Sequence, residues 1–361
     1  MVKNSFRAGR TVLVLFTMVI SAASGKATSP LTEADVIVAL ADRGVSSHLR
    51  QAMDDAEHLS TAIGNLCTTS DSAALTSART AWRDAWLSYK RAEPFLFDSA
   101  DKLTQQLGNW PVNHVVLDAV ASSAKYSHAS KEPSVRGFPA AEYLLFSQSD
   151  VAEATAGERC AHLTDTSNEI VELLSTVRND WEREMKSSFV SAGDGKPFLT
   201  QGDALSMAVT RVIRLTEHTL RDGIGVPSGF FRMGAEGTRP DNLEAWRSQN
   251  TADGFMATLE GIRTALAGED ASMVNLVATK DGLVESKDPA LAAAMRKQMD
   301  KIEKTIAGLG GSERLHRDPM RLKNLYKQFQ QLQNQIIDTA LVLELNVNIL
   351  ELGARNQFKN E

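Results

Sequence analysis

Cysteine is nearly absent from this sequence: there are two in 361 residues, Cys67 and Cys160. That excludes a cysteine-built zinc scaffold or a small fold held by several disulfides. Proline is sparse too, at 10 residues. With 43% apolar and 23% charged residues, the composition is that of a chain with a large core rather than of a disordered one. No His-Glu-x-x-His pair, phosphate-cradling glycine loop, Gly-x-Ser-x-Gly elbow or Cys-x-x-Cys-His occurs. The commonest signatures of zinc peptidases, nucleotide enzymes, serine hydrolases and covalent haem proteins are therefore missing.

Long hydrophobic runs are also lacking, with one exception at the start. "TVLVLFTMVI" (11–20) follows Lys3, Arg7 and Arg10 and precedes the small residues "SAASG" (21–25). This is the layout of a secretory signal peptide, cleaved after Ala23 or Gly25. The run is short of the roughly 20 residues that cross a bilayer, so a retained anchor is the weaker alternative. No cysteine follows it to carry a lipid. Three basic and no acidic residues leave with the peptide, so a net charge of −6 becomes −9. Nucleic acid is not an expected partner of so acidic a chain. In an exported protein, Cys67 and Cys160 point to a disulfide; two buried free thiols are the alternative.

What is present is helical periodicity. Apolar residues recur at threes and fours over 31–66, 72–97, 158–185, 205–222, 242–268, 291–309 and 321–353. Trp82, Trp86 and Tyr89 share one helix face, and Pro94 should end that helix. Residues 98–137 read as irregular, with a short helical piece at "GNWPVN" (108–113). "ALVLELNVNIL" (340–350) alternates like a strand, but it continues a long helical pattern and is read as helix. No other alternation at period two is convincing. The expectation is an all-α fold: two helical bundles of about four helices each with a cleft between them. Residues 26–190 would form one bundle and 191–361 the other, with "SAGDGKPF" (191–198) as the linker.

Few constellations carry chemistry. Asp54/His58, His114/Asp118 and His218/Asp222 have i, i+4 spacing, which places each pair on one helix face. Two such ligands make a weak metal site, and surface pairing accounts for them more simply. "RGFPAAEYLLF" (136–146) reads as a loop running into a buried helix. Gly137 frees the backbone, Pro139 suits a first helical turn, and Glu142 lies near the positive helix end.

This segment resembles the signature Gly-x-His-x-x-Glu-Tyr-Leu-Leu-Phe of the imelysin family, insulin-cleaving metallopeptidase-like proteins of bacterial envelopes. "AWRDAWLSYKRAEPF" (81–95), "GNWPVN" and "RPDNLEAWRSQNTADGFMATLEGI" (239–262) match further and in the family's order. The resemblance implies paired helical bundles, a periplasmic location and a link to iron acquisition. Gly137 and Glu142 keep the motif, but Pro139 stands at the histidine position. Proline has no donor atom, and Glu142 alone cannot hold a catalytic zinc, which takes three protein ligands. The ending "ELNVNILELGARN" (344–356) also departs from the glycine- and aspartate-rich one of many members.

The resemblance thus implies a binding protein rather than a peptidase. Its ligand would be a small molecule, a metal ion (a divalent metal or iron) or a polyanion, with an envelope protein as a further candidate partner. Glu142 is the expected ligand or metal contact, Arg136 an anion contact beside Gly137, and Trp82, Trp110 and Arg247 the cleft walls. The alternative is a metallopeptidase whose site is rebuilt from residues such as His218 and Asp222.

Overall fold

The computed structural model of the protein describes residues 30–97, 100, 103–123, 132–230, 242–279, 288–318 and 320–347. The leader expected over 1–25 lies outside them. From Leu31 onward the chain forms one compact unit. It is all-α, and no strand occurs among the described residues. No helix there is long and apolar enough to cross a membrane.

The helices begin where short polar side chains can take up their free N–H groups. Thr32 and Asp35 cap each other reciprocally at α1 (Glu33–Ala39), which runs through a wide π-helical stretch, Leu40–Ser46, into α2 (Ser47–Thr69). Asp71 caps α3 (Ser72–Ala92), and Pro94 turns its end into a 3-10 turn, as expected of a residue that cannot continue a helix. Then come α4 (Thr104–Gly108), α5 (His114–Ser122), α6 (Gly137–Phe146), α7 (Val151–Ala154) and α8 (Arg159–Asp180). A second π-helical stretch, Trp181–Met185, leads to α9 (Lys186–Val190). A stretch of turns, 191–200, follows, and α10 (Gln201–His218) starts behind a Thr200/Asp203 capping box. A third π-helical stretch, Thr219–Gly225, continues α10, and the remainder is α11 (Thr251–Ala267), α12 (Met273–Ala278), α13 (Pro289–Ala307), α14 (Ser312–Arg317) and α15 (Arg321–Val342).

α2, α3, α6 and α8 pack together, as do α10, α11, α13 and α15, and α3 also lies against α11. At that crossing, Gly254 lets the two helices close: a Cβ there would come within 2.3 Å of the Trp86 ring. Trp82 and Trp86 stack with centroids 5.4 Å apart, and both are 1% exposed. Burying side chains of this size removes large apolar areas from water and supplies much of the core's stability. Cys67, near the end of α2, is bonded to Cys160 at the start of α8, with 5.5 Å between their Cα atoms. The disulfide joins positions 93 residues apart; closing so long a loop contributes about 4–5 kcal/mol in the chain-entropy account.

Three expectations are corrected. The short helical piece read at 108–113 is not there; α4 ends at Gly108 and α5 begins at His114. The helix read over 242–268 begins only at Thr251. Ala245 and Gln249 take left-handed backbone angles (φ 55° and 63°), which no α-helix accommodates. The apolar spacing of Leu243, Ala245 and Trp246 that suggests a helix serves burial of an irregular segment instead. The helix read over 321–353 ends at Val342, and residues 343–347 form neither helix nor strand, so within the described residues the run 340–350 continues neither pattern.

Candidate functional site

The start of α6 is set by backbone geometry. Gly137 has φ 69°, and a Cβ there would lie 2.4 Å from the carbonyl oxygens of Gln106 and Leu107. Only glycine lets the helix start so close to α4. Phe138 then stacks on Tyr89 at 5.1 Å, and its carbonyl accepts the Trp82 Nε1 hydrogen at 2.9 Å. One turn on, Glu142 is carried into the interior and is only 4% exposed.

The irregular segment 242–250 supplies the opposite wall, and side chains hold it. Arg83 Nε donates to Asn250 Oδ1 (2.9 Å), Asn250 Nδ2 to the Ser248 carbonyl (3.0 Å), and Thr251 Oγ1 to the Glu244 carbonyl (2.7 Å). The Ser248 N–H donates to Glu142 Oε1 at 2.8 Å and so joins the two walls. Trp110 Nε1 reaches the Asn242 carbonyl at 3.3 Å. The Arg247 guanidinium lies over the Tyr143 ring at 4.8 Å and the Trp246 ring at 5.0 Å, placements suited to cation–π attraction.

The small pocket between these walls is lined by Trp82, Trp86, Trp110, Pro139, Glu142, Glu244 and Arg247, among others. Position 139, the histidine position of the motif, thus faces the same space as Glu142. About 10 Å³ remains there, room for roughly one water. A larger guest requires the 242–250 wall to move.

Burial pushes the Glu142 carboxyl up to about 7; the Ser248 hydrogen bonds and Arg247 oppose the shift, and Glu244 adds to it. Glu142 is therefore protonated far more readily near neutral pH than an ordinary carboxyl, and in that form it can donate as well as accept. Burial also raises Glu244, and Lys90 partly counters it. Lys90 Nζ lies 3.2 Å from Glu244 Oε2 and 2.6 Å from Glu93 Oε2, with its side chain 6% exposed. Burial alone would discharge Lys90; the two carboxylates outweigh it and hold the ammonium charged. Trp86 Nε1 donates to the other Glu244 oxygen at 3.4 Å.

Of the residues the sequence singled out, Glu142, Trp82, Trp110 and Arg247 line this pocket. Gly137 acts one turn away through the backbone. Arg136 is not among the lining residues; its guanidinium pairs with Glu169 at 2.6 Å. Among the three Asp/His pairs, only His218 Nδ1 and Asp222 Oδ2 bond, at 2.7 Å. Burial would raise Asp222, but hydrogen bonds from His218 and Arg221 bring it down to about 2. The His218 ring meets the Trp110 edge at 5.1 Å, in a neighbouring pocket that shares Trp110 as a wall.

Glu244, Lys90 and Ser248 were not in the sequence expectation. One signal was available: Lys90 and Glu93 follow Trp82, Trp86 and Tyr89 on the apolar side of α3, where isolated charges are costly and must be paired. The pocket's donor set does not fit a catalytic zinc. It offers two carboxylates, one already engaged by Lys90, and no nitrogen ligand at position 139. Among the described residues, no three His, Cys, Asp or Glu side chains converge as a metal site requires.

Comparison with known proteins follows the same lines. No curated protein matches the chain at a significant level. Among solved structures, one similar to it is an iron-regulated protein A precursor from Parabacteroides distasonis: TM-score 0.72, 18% identity, 86% of this chain and 95% of that one covered. Another is an imelysin-like protein from Psychrobacter arcticus: TM-score 0.68, 16% identity, 88% and 96% covered. At such identities the likeness establishes the fold. The imelysin (peptidase M75) family model matches residues 45–343, most of the sequence, and on that match the chain belongs to the imelysin family.

Proposed function

We propose that this protein is an exported, periplasmic imelysin that binds a ligand in the Glu142 pocket, serves iron acquisition, and does not cleave proteins. The observation that carries the reading is the meeting of Pro139 and Glu142 in one pocket, where the family motif would set a nitrogen ligand beside a carboxylate. Hydrolysis by a metal would need at least two further ligands that the pocket does not offer. Glu142 and Glu244 instead suit a guest with hydrogen-bond donors or an electropositive centre, and the indoles of Trp82, Trp86 and Trp110 suit its apolar parts. The leader-like N-terminus and the similarity to a protein described as an iron-regulated precursor support export and a tie to iron.

Calorimetric titration with ferric citrate and with Fe²⁺, Zn²⁺ and Ca²⁺ tests the reading, using the intact protein and Glu142→Ala. Saturable binding of ferric citrate rather than of the bare ions, lost in Glu142→Ala, is the expected result. Chelator-sensitive cleavage of a protein substrate, abolished by Glu142→Gln, would overturn it and restore the peptidase.

A further inference from the structure

A second cavity lies away from Glu142, where the first π-helical stretch (Leu40–Ser46) meets the second (Trp181–Met185). Two such stretches in contact are unusual, because π-turns are rare and gather at functional positions. They are tied together: Trp181 Nε1 donates to Ser46 Oγ at 2.9 Å, and Ser46 Oγ donates to Glu182 Oε1 at 2.6 Å. The crossing leaves a space of about 160 Å³ open to solvent. Its inner wall is built from Leu49, Phe95, Phe97, Val177, Trp181 and Met185, and polar atoms make up nearly as much of its accessible lining as apolar ones. Phe97 meets the Trp181 ring edge-on at 5.8 Å, which fixes the indole from a second side.

The rim has the opposite character. Asp180 and Glu184 also border the cavity, four residues apart across the widened turn, and both are exposed. Neither is ion-paired among the described residues. Two cations are near: Lys186 is directed to Asp42 (2.9 Å) and Glu182 (3.6 Å), and Arg183, exposed on the same turn, pairs with neither rim carboxylate.

We propose that this cavity is a ligand site for a small aromatic primary amine, its ring against Trp181 and Phe97 and its ammonium at Asp180 and Glu184. Size supports a single ring: an engineered protein cavity of about 150 Å³ accepts benzene. The aromatic inner wall favours a ring over a purely polar amine, and the two rim carboxylates disfavour an anion. The proposal is independent of the reading at Glu142.

The test is titration of the full-length mature protein with benzylamine and with benzyl alcohol, followed by calorimetry and by the indole N–H resonances. Benzylamine is expected to bind saturably at one site and to shift the Trp181 indole signal most among the five tryptophans. The double variant Asp180→Asn/Glu184→Gln changes only exposed groups and is expected to fold. It should weaken benzylamine about tenfold while leaving benzyl alcohol unchanged. Absence of saturable benzylamine binding, an equal loss for both probes, or shifts centred on another tryptophan would overturn the proposal.

Discussion

One wall of the Glu142 pocket is a helix whose first turn is buried and set against a neighbouring backbone; the other is a nine-residue irregular segment held by side chains. α6 has its hydrogen bonds within itself, and its position follows from one glycine and from ring packing. The 242–250 wall has no helix or sheet; two backbone turn bonds (Gln249 N–H to the Trp246 carbonyl, Asn250 N–H to the Ala245 carbonyl) and side-chain bonds from Asn250, Ser248 and Thr251 to its carbonyls hold it one bond at a time, and Arg83 fixes the Asn250 side chain. Such bonds contribute about 1 kcal/mol each and open more readily than a packed helix. A guest too large for the remaining space would therefore enter by displacing 242–250, with α6 staying in place. Amide exchange over 243–250 should accordingly be faster than over 140–146.

Substitutions can weaken each wall separately. Lys90→Met should have the largest effect, because it leaves Glu93 and Glu244 buried without their cation. A loss of about 3–5 kcal/mol at pH 7.5, read by denaturant unfolding, is expected, and it should shrink at lower pH as Glu244, already raised by burial, protonates. A mild effect would mean that the second wall does not depend on that charge cluster. Gly137→Ala attacks the first wall, adding left-handed strain and a backbone clash. About 3 kcal/mol should be lost in the same assay.

Glu142→Gln tests the joint between the walls through its pH dependence. The folded carboxyl, at about 7 against an ordinary 4.5, binds its proton more tightly in the native state than in the unfolded chain. Its contribution is then complete below pH 4.5 and is lost as pH rises to about 7, a difference of about 3 kcal/mol. Relative to the parent, the glutamine variant should gain stability above pH 7 and gain none below pH 4.5. Coincident stability curves at all pH values would contradict the raised carboxyl. The smallest effect is expected for Arg83→Ala, which removes the hydrogen bond to Asn250 and a half-exposed pair with Asp253 (3.0 Å). About 1 kcal/mol should be lost, with faster exchange confined to 242–250.

The two walls also differed in how far the sequence revealed them. "RGFPAAEYLLF" carries local signals, a glycine, a first-turn proline and a dense apolar run, and the helix forms where those place it. "NLEAWRSQN" has the apolar spacing of a helix, and nothing local announces left-handed angles at an alanine and a glutamine. Its conformation is imposed by partners distant in sequence, such as Arg83 and Glu142. Glu244 and Ser248 share a motif segment with Arg247, but their roles depend on Lys90 and Glu142, partners distant in sequence, and so could not be read locally. The helical fold was legible because periodicity is local. Arg136, adjacent in sequence to Gly137, pairs with Glu169 instead, since a residue's direction at a helix cap cannot be read from adjacency.

The most direct test is anomalous diffraction at the zinc edge from crystals grown without chelator and soaked in zinc. A site that binds its guest by hydrogen bonds and apolar contact predicts no zinc peak at the Glu142 carboxylate. A fully occupied zinc at about 2.0 Å from a Glu142 oxygen, completed by three other ligands, would contradict the account.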